Sequence, residues 1–133
     1  MLDSLDINAS ALLAQRTRMD TIAGNVANIN TTRNERGEAV PYRRRVAMFS
    51  PGRAHDGKAG VHVSAIEQDM SPFPRKFDPG NRDADKDGYV RYPNVDLSIE
   101  YVNMLEASRA YEANVTIMET TKAMINSSLR LIG

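Results

Sequence analysis

The chain of 133 residues contains no cysteine and no tryptophan, and it has few aromatic side chains. Without cysteine there is no disulfide, thiolate nucleophile or thiolate metal site, and cysteine usage gives no indication of the redox compartment. Seventeen basic residues balance seventeen acidic ones, which removes the bulk electrostatic argument for binding nucleic acid or an anionic membrane. We therefore expect no nucleic-acid partner.

Long apolar segments are missing as well. No apolar run approaches the ~18 residues that a membrane-spanning helix needs, so we expect no direct membrane insertion. Residues 1–6 are acidic and lack an uninterrupted apolar core, which argues against a cleavable signal peptide. The sequence is typical of a protein that is either cytoplasmic or exported with its N-terminus uncut.

The sequence also lacks the residue arrangements that catalysis needs. It has no evident nucleophile beside a base, no paired-carboxylate site and no phosphate-cradling glycine loop. The two histidines, His55 and His62, have no orienting partner visible in the sequence. We therefore predict that the protein is not an enzyme and holds no cofactor or metal.

What the sequence does contain is an apolar residue at every seventh position near both ends. The repeat consists of Leu5, Leu12, Met19 and Val26 near the N-terminus and of Leu97, Met104, Tyr111, Met118, Ile125 and Ile132 near the C-terminus. Such a repeat drifts roughly 20° per heptad on a straight α-helix, so it indicates supercoiling against a partner helix. We predict one helix from about Ser4 to about Asn28 and a second one after residues 92–94, capped by Asn94 or Asp96.

The middle of the chain, residues 31–94, holds most of the prolines and glycines. Its strand candidates are Tyr42–Phe49, Val61–Ile66 and Gly88–Tyr92. The predicted fold is α+β, with long N- and C-terminal helices (residues 1–30 and 95–133) forming a coiled-coil-like bundle and a small β-rich central module (31–94). Because the second helix is longer by about a third, a simple hairpin leaves part of its stripe uncovered. We expect that surface to meet other chains.

The two stripes and their neighbours define a predicted assembly interface. It comprises Leu5, Leu12, Met19, Ile22, Asn25, Val26, Asn28, Leu97, Met104, Leu105, Ser108, Tyr111, Val115, Met118, Ile125, Leu129 and Ile132. Asn25 and Asn28 flank the stripe near Val26, where buried amides can fix helix register through hydrogen bonds at some cost in stability.

One motif supports a different function. Asp83, Asp85, Asp87 and Gly88 match the start of an EF-hand calcium loop, but the position of the bidentate glutamate is occupied by Asn94. A polar turn with a tight backbone path is the competing explanation. The alternative function is a non-enzymatic regulatory or calcium-binding helical interaction module.

The densest basic run is Arg43-Arg44-Arg45. Successive residues of a strand point to opposite faces, so a single phosphate-binding face is not expected here. We interpret the run as a solvated edge strand whose arginines discourage edge pairing and meet acidic neighbours on another subunit.

Several separated motifs resemble those of bacterial flagellar rod and hook proteins. Residues 11–32 resemble the N-terminal signature of that family, most recognisably in Asn25-Val26-Ala27-Asn28 followed by Asn30-Thr31. The segment Glu106–Val115 is similar to the C-terminal helix of the family. The short length, the motif Pro41-Tyr42-Arg43-Arg44 and the stretch from Asp78-Pro79-Gly80 to Gly88-Tyr89-Val90 resemble the short members that form the rod.

The resemblance implies a structural subunit of the proximal rod, which polymerises through its terminal helices into the torque-transmitting drive shaft of the flagellar basal body. It implies a position in the periplasmic space, reached through the flagellar type III export apparatus without cleavage. The implied partners are further copies of the chain, other rod proteins and the basal ring of the motor. It also implies terminal helices that are poorly ordered in the free subunit.

Overall fold

The computed structural model describes residues 2–133. Its elements follow the order α1 (Leu2–Ala27), β1 (Arg45–Pro51), β2 (Val61–Gln68), β3 (Arg75–Phe77), β4 (Tyr89–Arg91) and α2 (Leu97–Ile132). The predicted α+β fold, with two long terminal helices and a small β-rich middle, is confirmed.

Local hydrogen bonds explain where the helices end. After α1, the backbone N–H and the side-chain amide of Asn28 both donate to the Gly24 carbonyl oxygen, at 3.1 and 2.8 Å, so the side chain competes for a helical carbonyl where the helix ends. Asp96 caps α2, since its carboxylate accepts from the backbone N–H groups of Ser98 and Ile99. Asp96 is therefore the cap, and the other candidate, Asn94, binds elsewhere.

The two helices pack against each other in antiparallel directions. Arg18 and Met19 in the middle of α1 contact Glu106 and Ser108 of α2, whereas Asn25 near the end of α1 contacts Glu100 near the start of α2. At 1.5 Å per residue, α1 is about 39 Å long and α2 about 54 Å. In this register α1 begins opposite roughly residue 123, so the last ~9 residues of α2 extend beyond α1.

An antiparallel hairpin of β1 and β2 lies lengthwise on α1. Its open end is fixed by Asn25, and its loop returns to the N-terminal part of the helix, where the Val61 backbone N–H donates to Ser10 Oγ at 3.1 Å. The strand begins at Arg45 rather than at the predicted Tyr42. The backbone N–H of Tyr42 is taken by the Thr31 carbonyl, and that of Arg44 by Asn94 Oδ1.

A second, short hairpin pairs β3 with β4. The sequence predicted β4 as part of Gly88–Tyr92 but did not predict β3. Pro72, Pro74 and Pro79 surround β3, and proline normally argues against a strand because it donates no ladder hydrogen bond. These prolines lie outside the three residues that pair, so the hairpin forms between them.

The elements form layers, with α1 between α2 and the β1–β2 hairpin. Among residues 2–133, α2 packs against one element only, which is α1. Few apolar side chains are buried as a result: Ala14, Ile22, Val90 and Ala107. Large apolar residues stay exposed along the whole of α2, including Leu97, Tyr101, Leu105, Ile117, Met124, Leu129 and Ile132.

We expect Gly88→Ala to destabilise the fold by more than about 1 kcal/mol. Gly88 has φ +86°, and an added Cβ would lie 2.9 Å from Phe77 Cε2 and 3.2 Å from Pro79 Cβ. The free energy of unfolding, measured by urea titration, tests this. Gly24→Ala is the matched control, because a Cβ on this helical glycine meets nothing within 4 Å, and it should stabilise by roughly 0.5–1 kcal/mol. Equal effects of the two changes would contradict the strain argument.

Candidate assembly surface

A buried polar cluster joins the two helices to the central module at one end of the molecule. Its centre is Asn25, which is 1% exposed. The Asn25 amide nitrogen donates to the Arg45 carbonyl at 2.8 Å and to Glu100 Oε2 at 3.3 Å. Its Oδ1 accepts from the Tyr42 hydroxyl and from the Arg45 backbone N–H, both at 2.9 Å. The Asn25 amide is therefore fully used within the chain.

Glu100 is the second member of the cluster and is 0% exposed. A buried carboxylate costs several kcal/mol unless it is paired and hydrogen-bonded. Arg44 Nε donates to Glu100 Oε1, and Arg44 Nη1 lies 3.3 Å from Asp69 Oδ2. Arg44 thus joins α2 to the end of the β1–β2 hairpin, so it is a partly buried ion-pair partner rather than the solvated edge residue that the sequence predicted.

The pKa shifts follow from this geometry. Burial raises the pKa of the Tyr42 phenol, and the negative charge of Glu100 raises it further against the opposing effect of Arg45. Burial alone would lower the pKa of Arg44. Hydrogen bonds and charge from Glu100 and Asp69 outweigh it and raise the pKa instead. These shifts keep the Tyr42 phenol neutral, so that it can donate to Asn25, and keep the Arg44 guanidinium charged.

Asn94 and Arg43 extend the cluster toward residues 69–73. The Asn94 amide nitrogen donates to the Asp69 and Ser71 carbonyl oxygens at 2.9 and 3.2 Å. Arg43 Nη1 donates to the same two carbonyl oxygens at 3.0 and 3.1 Å. These bonds fix the approach to α2, and the polar character of the residues was the only sign of them in the sequence.

The predicted interface residues divide into three groups. Those partly covered along the helix pair are Leu5, Leu12, Met19, Val26, Met104, Ser108, Tyr111, Val115, Met118 and Ile125. Those used mainly within the chain are Ile22 and Asn25, which are buried, and Asn28, which donates to the Gly24 carbonyl oxygen. Those open to a partner are Leu97, Leu105, Leu129 and Ile132. The heptad stripes therefore face each other within one subunit except at Leu97 and Ile132, the two ends of the second stripe.

The exposed apolar residues next to these stripes were not selected from the sequence. They include Leu13, Tyr101, Val102 and Ile117. Leu13 and Ile117 each lie one residue from a stripe position, and Tyr101 lies four residues after Leu97. This spacing was the feature of the sequence that could have identified them as neighbours of the stripes. At the polar-cluster end, Tyr101 also lines an apolar groove of about 400 Å³ together with Val26, Leu97 and Met104.

The calcium-like loop is tied to other parts of the chain. Asp83 accepts from Thr32 Oγ1 at 2.8 Å and from Arg33 Nε at 2.6 Å. Asp85 accepts from two backbone N–H groups of its own turn and from Arg75. No group of three or more acidic or histidine side chains in residues 2–133 is arranged to hold a metal ion. The geometry is that of a polar turn joined to the segment after α1.

The two histidines have neighbours that the sequence did not reveal. His62 Nδ1 lies 2.7 Å from the Gly52 carbonyl oxygen, and His55 Nε2 lies 3.3 Å from Asp56 Oδ2.

Across residues 2–133, no helix is both long enough and apolar enough to span a membrane.

Comparison with known proteins places these features in a family. A family model described as flagella basal body rod protein matches residues 5–33, which cover α1 and Asn25. A second model, the C-terminal region of the flagellar basal body rod FlgEFG proteins, matches residues 86–131, which cover β4, Glu100 and most of α2. The chain is 44% identical to the flagellar basal-body rod protein FlgC of Bacillus subtilis over 143 residues, covering 96% of the chain and 95% of that protein.

Relatives from two other bacteria are similar to the chain over nearly its full length. FlgC of Salmonella typhimurium is 38% identical over 98% of the chain and 97% of that protein, and FlgC of Borreliella burgdorferi is 38% identical over 99% and 97%. The chain belongs to the FlgC family of flagellar basal-body rod proteins. The resemblance seen in the sequence motifs is thereby confirmed.

In this FlgC-family chain we expect Glu100→Ala to lower the free energy of unfolding by about 3 kcal/mol, because it leaves Arg44 partly buried without its main partner. Thermal or urea unfolding followed by circular dichroism tests this. Glu106→Ala is the matched control on the same helix. Glu106 pairs with Arg18 at 3.7 Å in an exposed position, so its loss should cost less than about 1 kcal/mol. Similar losses for both variants would refute the importance of the cluster.

The loop predicts a pH dependence. Hydrogen bonds from Thr32 and the charge and hydrogen bond of Arg33 lower the pKa of Asp83. Its contribution to stability is present above the unfolded-state pKa of about 4 and is lost as the pH falls through the lower folded-state pKa. We expect Asp83→Asn to destabilise at neutral pH and the difference from the unmodified chain to vanish in acid.

Urea unfolding at a series of pH values from about 7 down to about 3 measures this difference. Asp87→Asn is the control, since the Asp87 backbone N–H, not its carboxylate, makes the hydrogen bond in this turn. It should leave the free energy of unfolding at neutral pH unchanged. A pH-independent difference for Asp83→Asn would show that its carboxylate does not act through ionisation.

Proposed function

We propose that the chain is a structural subunit of the proximal rod and polymerises through its terminal helices into the torque-transmitting shaft of the flagellar basal body. The observation that supports this most strongly is that, within residues 2–133, α1 is the only helix or strand that packs against α2, although α2 is 36 residues long. Membership of a family of basal-body rod proteins supports the same function.

The energetics favour assembly. Tyr101 is 64% exposed, Leu129 61% and Ile132 85%. Burying apolar surface is worth roughly 25 cal/mol per Å², so covering several such side chains at once stabilises a contact between subunits. Within residues 2–133, no helix lies beside the C-terminal extension of α2 in one subunit, and we propose that the extension orders as neighbouring helices cover it.

The contact between subunits is expected to be heterologous. The two helices and the module give the subunit two different ends, and head-to-tail contacts whose rotation does not close generate helical tubes. The proposed partners are further copies of the chain, other rod proteins, the basal ring of the motor and, during export, the flagellar type III apparatus. The proposed location is the rod in the periplasmic space. We propose that the role of the chain is structural and not enzymatic.

We expect Tyr101→Asp and Leu129→Asp each to abolish rod assembly while leaving the subunit folded. Both side chains are exposed in the subunit, so the cost to folding is small, whereas a charge buried in an apolar contact is strongly penalised. The measurement is the swimming-ring diameter and the yield of basal bodies in cells whose only copy carries the change.

Met70→Asp is the matched control. Met70 is as exposed as the other two residues but lies outside both helices, so this variant should swim normally. If Tyr101→Asp and Leu129→Asp also swim normally, the exposed helical faces are not the assembly surface.

A further inference from the structure

The first third of α1 buries almost no side chain. Among residues 2–13, only Asn8 is buried, and its side-chain amide donates to the Ser4 carbonyl oxygen of the same helix at 2.9 Å. Leu5 and Leu12, the two stripe residues of this segment, are only partly covered. A helical segment of about twelve residues is marginally stable in isolation. Contacts with other elements must therefore decide where this segment lies.

Arg53, in the loop between β1 and β2, supplies one such contact. Its side chain is 9% exposed, and Nη1 lies 3.0 Å from Oδ2 of Asp6 in the first third of α1. The same guanidinium donates from Nε and Nη2 to the two carboxylate oxygens of Asp56, at 3.1 and 2.8 Å. The planar fork of arginine donors can bridge two carboxylates in this way, which a single ammonium group does less well. Arg53 thus links α1 to the closed end of the hairpin.

The loop holds Arg53 in place through its own hydrogen bonds. The Arg53 backbone N–H donates to the Lys58 carbonyl oxygen at 2.8 Å, and the Arg53 carbonyl oxygen accepts from the Gly57 N–H at 2.9 Å. The Gly52 N–H donates to the Gly60 carbonyl oxygen at 2.9 Å and closes the loop next to the two strands. Because the backbone of Arg53 is fixed within the loop, the hairpin sets the position that its guanidinium offers to α1.

A second contact lies beside the first. The Val61 backbone N–H donates to Ser10 Oγ at 3.1 Å, and this hydroxyl donates in turn to the Ile7 carbonyl oxygen at 2.7 Å. Gly60 has φ +152°, and an added Cβ would lie 2.6 Å from Arg53 Cγ and 2.6 Å from Ser10 Oγ. A side chain at position 60 would therefore force the helix and the loop apart, since they approach as closely as a glycine allows.

We propose that Arg53 is a positioning residue: its bridge to Asp6 is a clasp that fixes the first third of α1 on the β1–β2 hairpin in the assembled subunit. Asp6 lies roughly 28 Å from Asn25 along the helix, so the clasp and the buried polar cluster attach α1 to the central module at opposite ends. The inference rests on the proposed function, because the position of α1 matters to the rod only if the helices build it.

A steric change tests the clasp without altering any charge. Gly60→Ala should displace Arg53 and Ser10 and reduce the swimming-ring diameter severalfold in cells whose only copy carries the change. Gly57→Ala is the matched control in the same loop. Gly57 has a positive φ as well, +67°, but an added Cβ meets nothing within 4 Å, so the change strains the backbone without displacing the clasp. This control should swim close to normally, and an equal loss for both variants would overturn the proposal.

Exchanging the charges tests which residues meet. Asp6→Arg and Arg53→Asp should each reduce the ring severalfold, because like charges then face each other across the clasp. Both changes in one chain should restore most of the diameter. Asp3→Arg is the control for a positive charge in the first turn of α1, since Asp3 is exposed and forms no salt bridge within residues 2–133. It should swim better than Asp6→Arg.

Expressing two copies in one cell shows whether the bridge lies within one chain. Cells that carry Asp6→Arg on one copy and Arg53→Asp on the other should swim no better than cells with either variant alone. A bridge within one chain cannot be rebuilt between two chains. Restoration from separate copies as large as that from one chain, or no restoration from one chain, would overturn the proposal.

The same assay separates the clasp from the proposed function. Normal swimming of Arg53→Asp, while Tyr101→Asp and Leu129→Asp fail to swim, would refute the clasp and leave the proposed function intact. Normal swimming of Tyr101→Asp and Leu129→Asp, with restoration confined to the double variant in one chain, would support the clasp and overturn the apolar helical faces as the assembly surface.

Discussion

The buried carboxylate of Glu100 is the constraint on which the rest of the structure depends. A carboxyl group with no exposed surface is tolerated only when its hydrogen-bond and charge partners are fixed in place. Arg44 and Asn25 provide those partners, and Asn25 in turn requires the Arg45 backbone and the Tyr42 hydroxyl. Residues 42–45 must therefore cross the open end of the helix pair. Once they do, the direction of the β1–β2 hairpin along α1 is settled.

This arrangement explains how so small an apolar core can support an elongated subunit. The buried apolar side chains are few. Burying one large apolar side chain contributes roughly 1.5–3 kcal/mol to the free energy of folding, so this small core contributes little in total. Specific polar bonds instead decide how helices and module are joined at one end. The large apolar residues remain on the outside of α2. We propose that such a subunit completes its hydrophobic core when neighbouring chains cover those residues.

The sequence predicted the two helices closely because their signal is local and repeats over many residues. It predicted β1, β2 and β4 at about the right positions but did not predict β3, because the three prolines around β3 argue against a strand. The polar cluster was not predicted from the sequence, because Asn25 and Glu100 are 75 positions apart. No local sequence pattern distinguishes Arg44 from the arginines beside it. Tertiary contact alone decides which of the three arginines pairs with Glu100. The same reason explains why Asn25, placed at a subunit interface from its spacing, has all its hydrogen bonds within the chain.

The heptad repeat predicted that the helices pair but left open which chain supplies the partner. In the structure Met19 meets Ser108 of the same chain, so the stripes are largely satisfied before assembly. One residue further along a helix is a rotation of about 100°, which moves a side chain from the paired face to its flank. Leu13 and Leu105, each one position beyond a stripe residue, are exposed for this reason. Each helix thus has one apolar face that meets its own partner and further apolar residues on its flank, and we propose that neighbouring chains cover those flanks, which would let such helices continue into a closed wall of many chains.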